Sequence, residues 1–97
     1  MAGYIIVSYR ITNPAGYEAY VPAVMPTLEA YGAEVLVADS ESEILEGSPE
    51  SITVVLKFAS KEAARAWYES PEYQEVIHLR TDNCESHAVL VDEFVMP

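Results

Sequence analysis

A chain of 97 residues, 51% hydrophobic and 22% charged, has the length and composition of one small folded domain, neither disordered nor of low complexity. Sixteen acidic against five basic side chains give a formal charge of −11, which opposes nucleic acid and anionic membrane surfaces as partners. The single cysteine, Cys84, can form no internal disulfide, and no stretch reads as a signal peptide or membrane-spanning helix, so one soluble cytoplasmic domain over 1–97 is expected.

Tyr4 to Ile11, rich in β-branched and aromatic residues, predicts the first strand. It stops at Thr12-Asn13-Pro14, where Asn13 suits a helix cap and Pro14 the first helical position. Tyr17, Tyr20, Val21, Val24, Leu28 and Tyr31 then recur at three- and four-residue steps, an amphipathic helix closing at Gly32. Pro22 and Pro26 fall inside this pattern, and each is expected to remove a ladder hydrogen bond, giving a kink or two shorter helices. Ala33 to Ala38 predicts the second strand, and Glu43-Ile44-Leu45-Glu46 a short edge strand closed by Gly47. Ile52 to Phe58 predicts a central strand with Ile52, Val54, Leu56 and Phe58 on one face. Ser60 caps a helix through Tyr68, and Ser70-Pro71 opens another that aligns Tyr73, Val76, Ile77 and Arg80. A polar connection, Thr81 to Glu85, leads to the last strand, Ser86 to Val95.

This order is the split βαβ, ferredoxin-like α+β arrangement, an antiparallel sheet with helices on one face. The first strand is apolar on both sides, with Ile5, Val7 and Tyr9 on one and Tyr4 and Ile6 on the other. Helices cover only one face of such a sheet, so a second copy packing on the other is expected, a homodimer.

No phosphate loop, dinucleotide fingerprint, nucleophile elbow or Cys-x-x-Cys pair is present. The acidic stretch Asp39, Glu41, Glu43, Glu46, Glu50 has Ile44 where a calcium loop needs glycine, and no metal-ligand spacing occurs elsewhere. Any chemistry is therefore expected to need no cofactor. Of the two histidines, His78 reads as surface, while His87 opens the last strand ahead of Val89 and Val91. His87 is the candidate proton acceptor, expected at a pocket mouth with a tyrosine hydroxyl and Arg80 or Arg10 in support, beside the plainer reading of a strand-end histidine. Arg10 shares a strand face with Ser8, Ile6 and Tyr4, either as a polar pocket wall or as a charge reaching out to water. Tyr4, Tyr20, Trp67 and Tyr68 are candidate walls of a small-molecule cavity between sheet and helices; Trp67 and Tyr68 equally suit a purely structural corner. Arg80 lies on the buried-looking side of its helix and needs an anionic partner, either a ligand or one of Glu18, Glu72 and Glu93. Two functions stay open: a small-molecule-binding or enzymatic domain, and a non-catalytic dimeric module with an acidic surface.

The run Phe58-Ala-Ser-Lys-Glu-Ala-Ala-Arg-Ala-Trp-Tyr-Glu-Ser-Pro-Glu-Tyr73, then Leu79-Arg80, resembles the domain-of-unknown-function 1330 family of the dimeric α/β barrel superfamily. Tyr17-Glu-Ala-Tyr20, Pro26, Tyr31-Gly32 and Glu43-Ile-Leu-Glu-Gly47 extend the likeness over nearly the whole chain. The resemblance implies a fold and a dimer rather than an activity. Ala33-Glu34 and Ala38-Asp39-Ser40 stand where members of that family commonly carry arginine beside glycine, which implies a different ligand preference here.

Overall fold

Alternation along the first strand decides what each face of the sheet meets. β1 (Gly3–Ile11) buries Ile5, Val7 and Tyr9 and leaves Tyr4, Ile6 and Ser8 half-covered and Arg10 exposed. Successive side chains of an extended backbone leave on opposite sides, so one strand serves two surfaces. The computed structural model describes residues 1–97 and sets β1 inside a four-stranded antiparallel sheet with β2 (Glu34–Asp39), β3 (Ile52–Phe58) and β4 (Cys84–Asp92), in the order β2-β3-β1-β4. One face is covered by α1 (Pro14–Tyr17), α2 (Tyr20–Ala30), α3 (Lys61–Tyr68), α4 (Pro71–Gln74) and α5 (His78–Thr81). The fold is ferredoxin-like α+β. No helix is long and apolar enough to cross a membrane.

The helix ends follow their capping residues. Asn13, Ser60 and Ser70 each accept a backbone N–H three residues on, satisfying a donor that the first turn would leave orphaned. At the end of α2, Gly32 adopts φ +69°, and Ala33 N–H reaches back to the Leu28 carbonyl at 2.9 Å. Only glycine takes that backbone without steric cost. Gly3 answers a different demand: a β-carbon there would lie 2.5 Å from the Lys61 backbone, so its bareness lets α3 approach the sheet.

Four local expectations are corrected. The first helix does break in two, but at Glu18-Ala19, ahead of both prolines. Pro22 sits in the first turn of α2, where the first ladder bond is Ala23 N–H to Ala19 O, so it costs no hydrogen bond. Pro26 is the one that removes a ladder donor. Residues 43–46 form no strand, and Ile44 and Leu45 are exposed. The sheet ends at β2, and residues 43–46 do not pair with its outer edge. The helix over 71–80 is split into α4 and α5 by a turn at 75–77. Finally β4 starts at Cys84, because Cys84 and Glu85 pair with Ile11 and Arg10, and stops at Asp92, where its partner strand begins at Gly3.

The core closes around the corner between α3 and α4. Trp67, Tyr73 and Phe58 are the most deeply buried large side chains, with the Trp67 and Tyr73 ring centroids 4.0 Å apart. The indole N–H donates to Thr27 Oγ1 at 3.0 Å, and the Thr27 hydroxyl donates to the Val24 carbonyl at 2.7 Å. Ser70 Oγ donates to the Trp67 carbonyl at 2.6 Å while accepting from Tyr73 N–H at 3.1 Å. A single serine thus ends one helix and begins the next.

Candidate functional site

Between the sheet and α2 lies a cavity of about 140 Å³ whose 17 lining residues include 16 hydrophobic ones. The sheet supplies Ile5, Val7, Tyr9, Val54 and Leu56, the α2 helix Val24 and Leu28, and the corner Trp67, Tyr68 and Tyr73. Arg80 is the one charged residue in the wall. A cavity of roughly 150 Å³ holds a benzene ring, so this space suits a molecule of about that size. A second hollow, of about 250 Å³ between α3 and β4, carries its charges already paired, Arg65 with Glu69 at 3.8 Å.

Arg80 is 3% exposed. Its Nη1 donates to Ser86 Oγ at 2.9 Å, its Nη2 to the Tyr73 hydroxyl at 3.3 Å, and its guanidinium carbon stands 6.0 Å from the Tyr20 ring centre. Its Nε–H is buried with no partner, and none of the ion pairs of the chain involves Arg80. The carboxylates expected beside it are elsewhere: Glu72 accepts from the Tyr31 hydroxyl at 2.6 Å, and Glu93 binds the amino-terminal backbone. Glu18 is exposed and forms no hydrogen bond or ion pair with it. Burial opposes the charge of Arg80, and the oxygens of Tyr73 and Tyr20 outweigh it, so the guanidinium is held protonated.

Four tyrosines line the same cavity as this charge, their hydroxyls in two pairs, Tyr9 with Tyr17 at 2.6 Å and Tyr20 with Tyr73 at 2.8 Å. Burial is the first cause that pushes the Tyr9, Tyr17 and Tyr20 hydroxyls above their ordinary range, so they stay neutral donors. Cys84, nearby, is likewise pushed up by burial. No three metal-ligating side chains converge anywhere in the chain.

The eight residues singled out from the sequence fall into two groups, one on each side of the sheet. Tyr20, Trp67, Tyr68 and Arg80 share the cavity. Tyr4, Ser8, Arg10 and His87 stand on the open face, where His87 is exposed directly opposite Ser8. Arg10 pairs with Glu50 at 3.2 Å at the edge of that face. The expected pocket mouth joining His87 to Arg80 is therefore not formed within one chain: residue 87 and the cavity-facing Ser86 leave β4 on opposite sides. Sequence reasoning missed Tyr9, Tyr17 and Tyr73 as site residues. Their signals were present: Tyr9 is in phase with Ile5 and Val7, Tyr17 precedes Tyr20 by three, and Tyr73 precedes Arg80 by seven.

Rows across the open face have a clear order. Val37, Val55, Ile6 and Val89 are successive cross-strand partners, an apolar band over all four strands. Beside it runs a polar row, Asp39, Thr53, Ser8 and His87.

The profile of a family described as a domain of unknown function (DUF1330) matches residues 2–94. No curated protein matches the sequence. Among solved structures, a protein of unknown function from Rhodopseudomonas palustris is similar over 98% of this chain and 84% of its own, with a TM-score of 0.78 and 16% identity. A dimeric ferredoxin-like protein of unknown function from Thermobifida fusca gives a TM-score of 0.66 at 15% identity, covering 96% of this chain and 92% of its own. SnoaB from Streptomyces nogalater, described as a cofactor-independent oxygenase, gives 0.60 at 12% identity, covering 98% and 95%. At these identities the likeness is one of fold.

Proposed function

The chain belongs to the domain-of-unknown-function 1330 family, and within that fold we propose that it binds, or acts on, a small organic molecule in the cavity between sheet and helices, without a cofactor. One observation carries this reading: an apolar space the size of a single ring, walled by aromatic side chains and holding one charge. Concave, mostly apolar sites with a few placed polar groups are the usual form of small-molecule pockets. The space is too small for a nucleotide or flavin. The fold likeness to a cofactor-independent oxygenase agrees with this reading at the level of analogy alone. Toluene is the simplest probe. It should raise the melting temperature with concentration, since a ligand of the native state stabilises it by mass action. Val24→Phe, which fills the space, should abolish that rise while the variant stays folded. A melting temperature unmoved by toluene and by other single-ring aromatics supports the alternative, a non-catalytic interaction module with an acidic surface.

The same reading includes a homodimer through the open face, favoured by the Val37, Val55, Ile6 and Val89 band. Val37 and Val89 are 40% and 54% exposed in the single chain, and the structural neighbours include proteins described as dimeric. Such an interface is expected to bury more than about 1,200 Å² in total. His87 enters a catalytic role only in that assembly, where a second sheet would close over the polar row. Sedimentation at micromolar concentration should give twice the chain mass of 10.7 kDa; a lone 10.7 kDa species would remove both the dimer and that role for His87.

A further inference from the structure

We infer that the cavity selects a small aromatic or aliphatic monocarboxylate, with Arg80 as the group that receives the carboxylate. This rests on the reading of the cavity as a ligand site and adds the charge of the ligand.

The argument is a count of donors and acceptors. Arg80 carries five N–H donors and no acceptor, and the four tyrosines bring four O–H donors. Within each tyrosine pair one proton is used between the two oxygens, so one proton of each pair has no acceptor in that pair. Tyr73 already receives Arg80 Nη2, which leaves its oxygen still less able to serve as an acceptor. The Nε–H of Arg80 is buried and unpartnered. The side-chain acceptors within this cluster are the tyrosine oxygens themselves and Ser86 Oγ, with no carboxylate among them. Arg80 therefore carries a buried, unpartnered donor and a positive charge that no carboxylate offsets. An acceptor-only group of one negative charge completes it, and a carboxylate is that group.

Two features narrow the ligand further. A single guanidinium inside an apolar wall can neutralise one charge, which disfavours a phosphate dianion. The net charge of −11 repels any anion from a distance, so a bound carboxylate must also bury an apolar body to be held. The cavity admits a body of about one ring, which makes benzoate a fitting probe.

The test compares benzoate, benzamide and toluene by calorimetric or NMR titration of the wild-type chain. The inference expects benzoate to bind at least about tenfold tighter than benzamide, about 1.4 kcal/mol. It also expects that preference to vanish in Arg80→Met. Equal binding of all three would overturn the carboxylate while leaving the cavity reading intact. Binding by none would overturn the cavity reading and the carboxylate with it. A preference for benzoate that survives in Arg80→Met would overturn the assignment to Arg80. Should that variant fail to fold, the buried Arg80 Nε–H resonance of the wild type decides: a saturable shift with benzoate supports the contact, and an unmoved resonance refutes it.

Discussion

On the helix-covered face of the sheet, Ile5, Val7, Tyr9 and Leu56 are buried, and their rings and methyls frame a cavity with one charge in it. On the other face the same strands carry Tyr4, Ile6, Ser8, Val55 and His87, partly or wholly open to solvent. Both faces have an apolar centre with polar groups beside it, yet their demands differ. The covered face has enclosed polar groups whose bonds must be completed from within the enclosure, and the Nε–H of Arg80 is not completed there. The open face can satisfy Ser8 and His87 with water, so its exposed band asks for apolar cover rather than for a hydrogen-bond acceptor. One face is suited to a small ligand and the other to a second protein surface.

The largest expected effect belongs to the covered face. Trp67→Ala removes a ring stacked on Tyr73 and strands the Thr27 hydroxyl contact, and should cost about 3–5 kcal/mol in denaturant melts. A loss under about 1 kcal/mol would show that the corner is peripheral. Next comes the open face: Ile6→Asp puts a charge in the middle of the apolar band and should weaken the dimer by about 2 kcal/mol or more, some thirtyfold in its dissociation constant, by sedimentation equilibrium. An unchanged dimer would place the interface elsewhere. A pH series sharpens the contrast further. Tyr9 and Tyr20 are raised in the folded chain, so below an unfolded value of about 10 both states hold the protons and the stability is fully present. As pH climbs past about 10 the unfolded chain releases them first, and stability falls toward the raised folded values. Tyr9→Phe should flatten that fall, whereas a wild-type stability unchanged from about pH 9 to 11 would contradict the burial of these hydroxyls. The smallest effect is His87→Ala, which should leave benzoate affinity within about twofold. A tenfold drop would mean that the sheet does not separate the two groups.

What was legible in the sequence was whatever depends on neighbours a few residues away. Ser60, Ser70 and Asn13 cap their helices as their spacing foretold, and alternation matches the burial of β1 and, in β3, that of Leu56 and Phe58, while Ile52 and Val54 are only half-buried. The family resemblance reached the fold, and the profile match over residues 2–94 places the chain there. The candidate site was only half legible, since periodicity assigns a side chain to a face but not one strand's face to another's. His87 and Arg80 each lie beside apolar residues in the chain, which is compatible with one shared pocket, but the pairing register of β4 with β1 sets His87 opposite Ser8 and away from the cavity. The tyrosine pairs were hidden for a related reason: Tyr20 and Tyr73 lie 53 residues apart, and only the packing of α2 on α4 brings their hydroxyls to 2.8 Å.

One titration reads both faces at once. The chain has a single tryptophan, so the indole N–H of Trp67 gives one resonance in the wall of the cavity, while the ring of His87 reports from the opposite face. With toluene added stepwise, the account predicts a saturable shift of the Trp67 indole N–H and no saturable change at the His87 ring. An indole resonance that does not move, or a saturable response confined to His87, would contradict it.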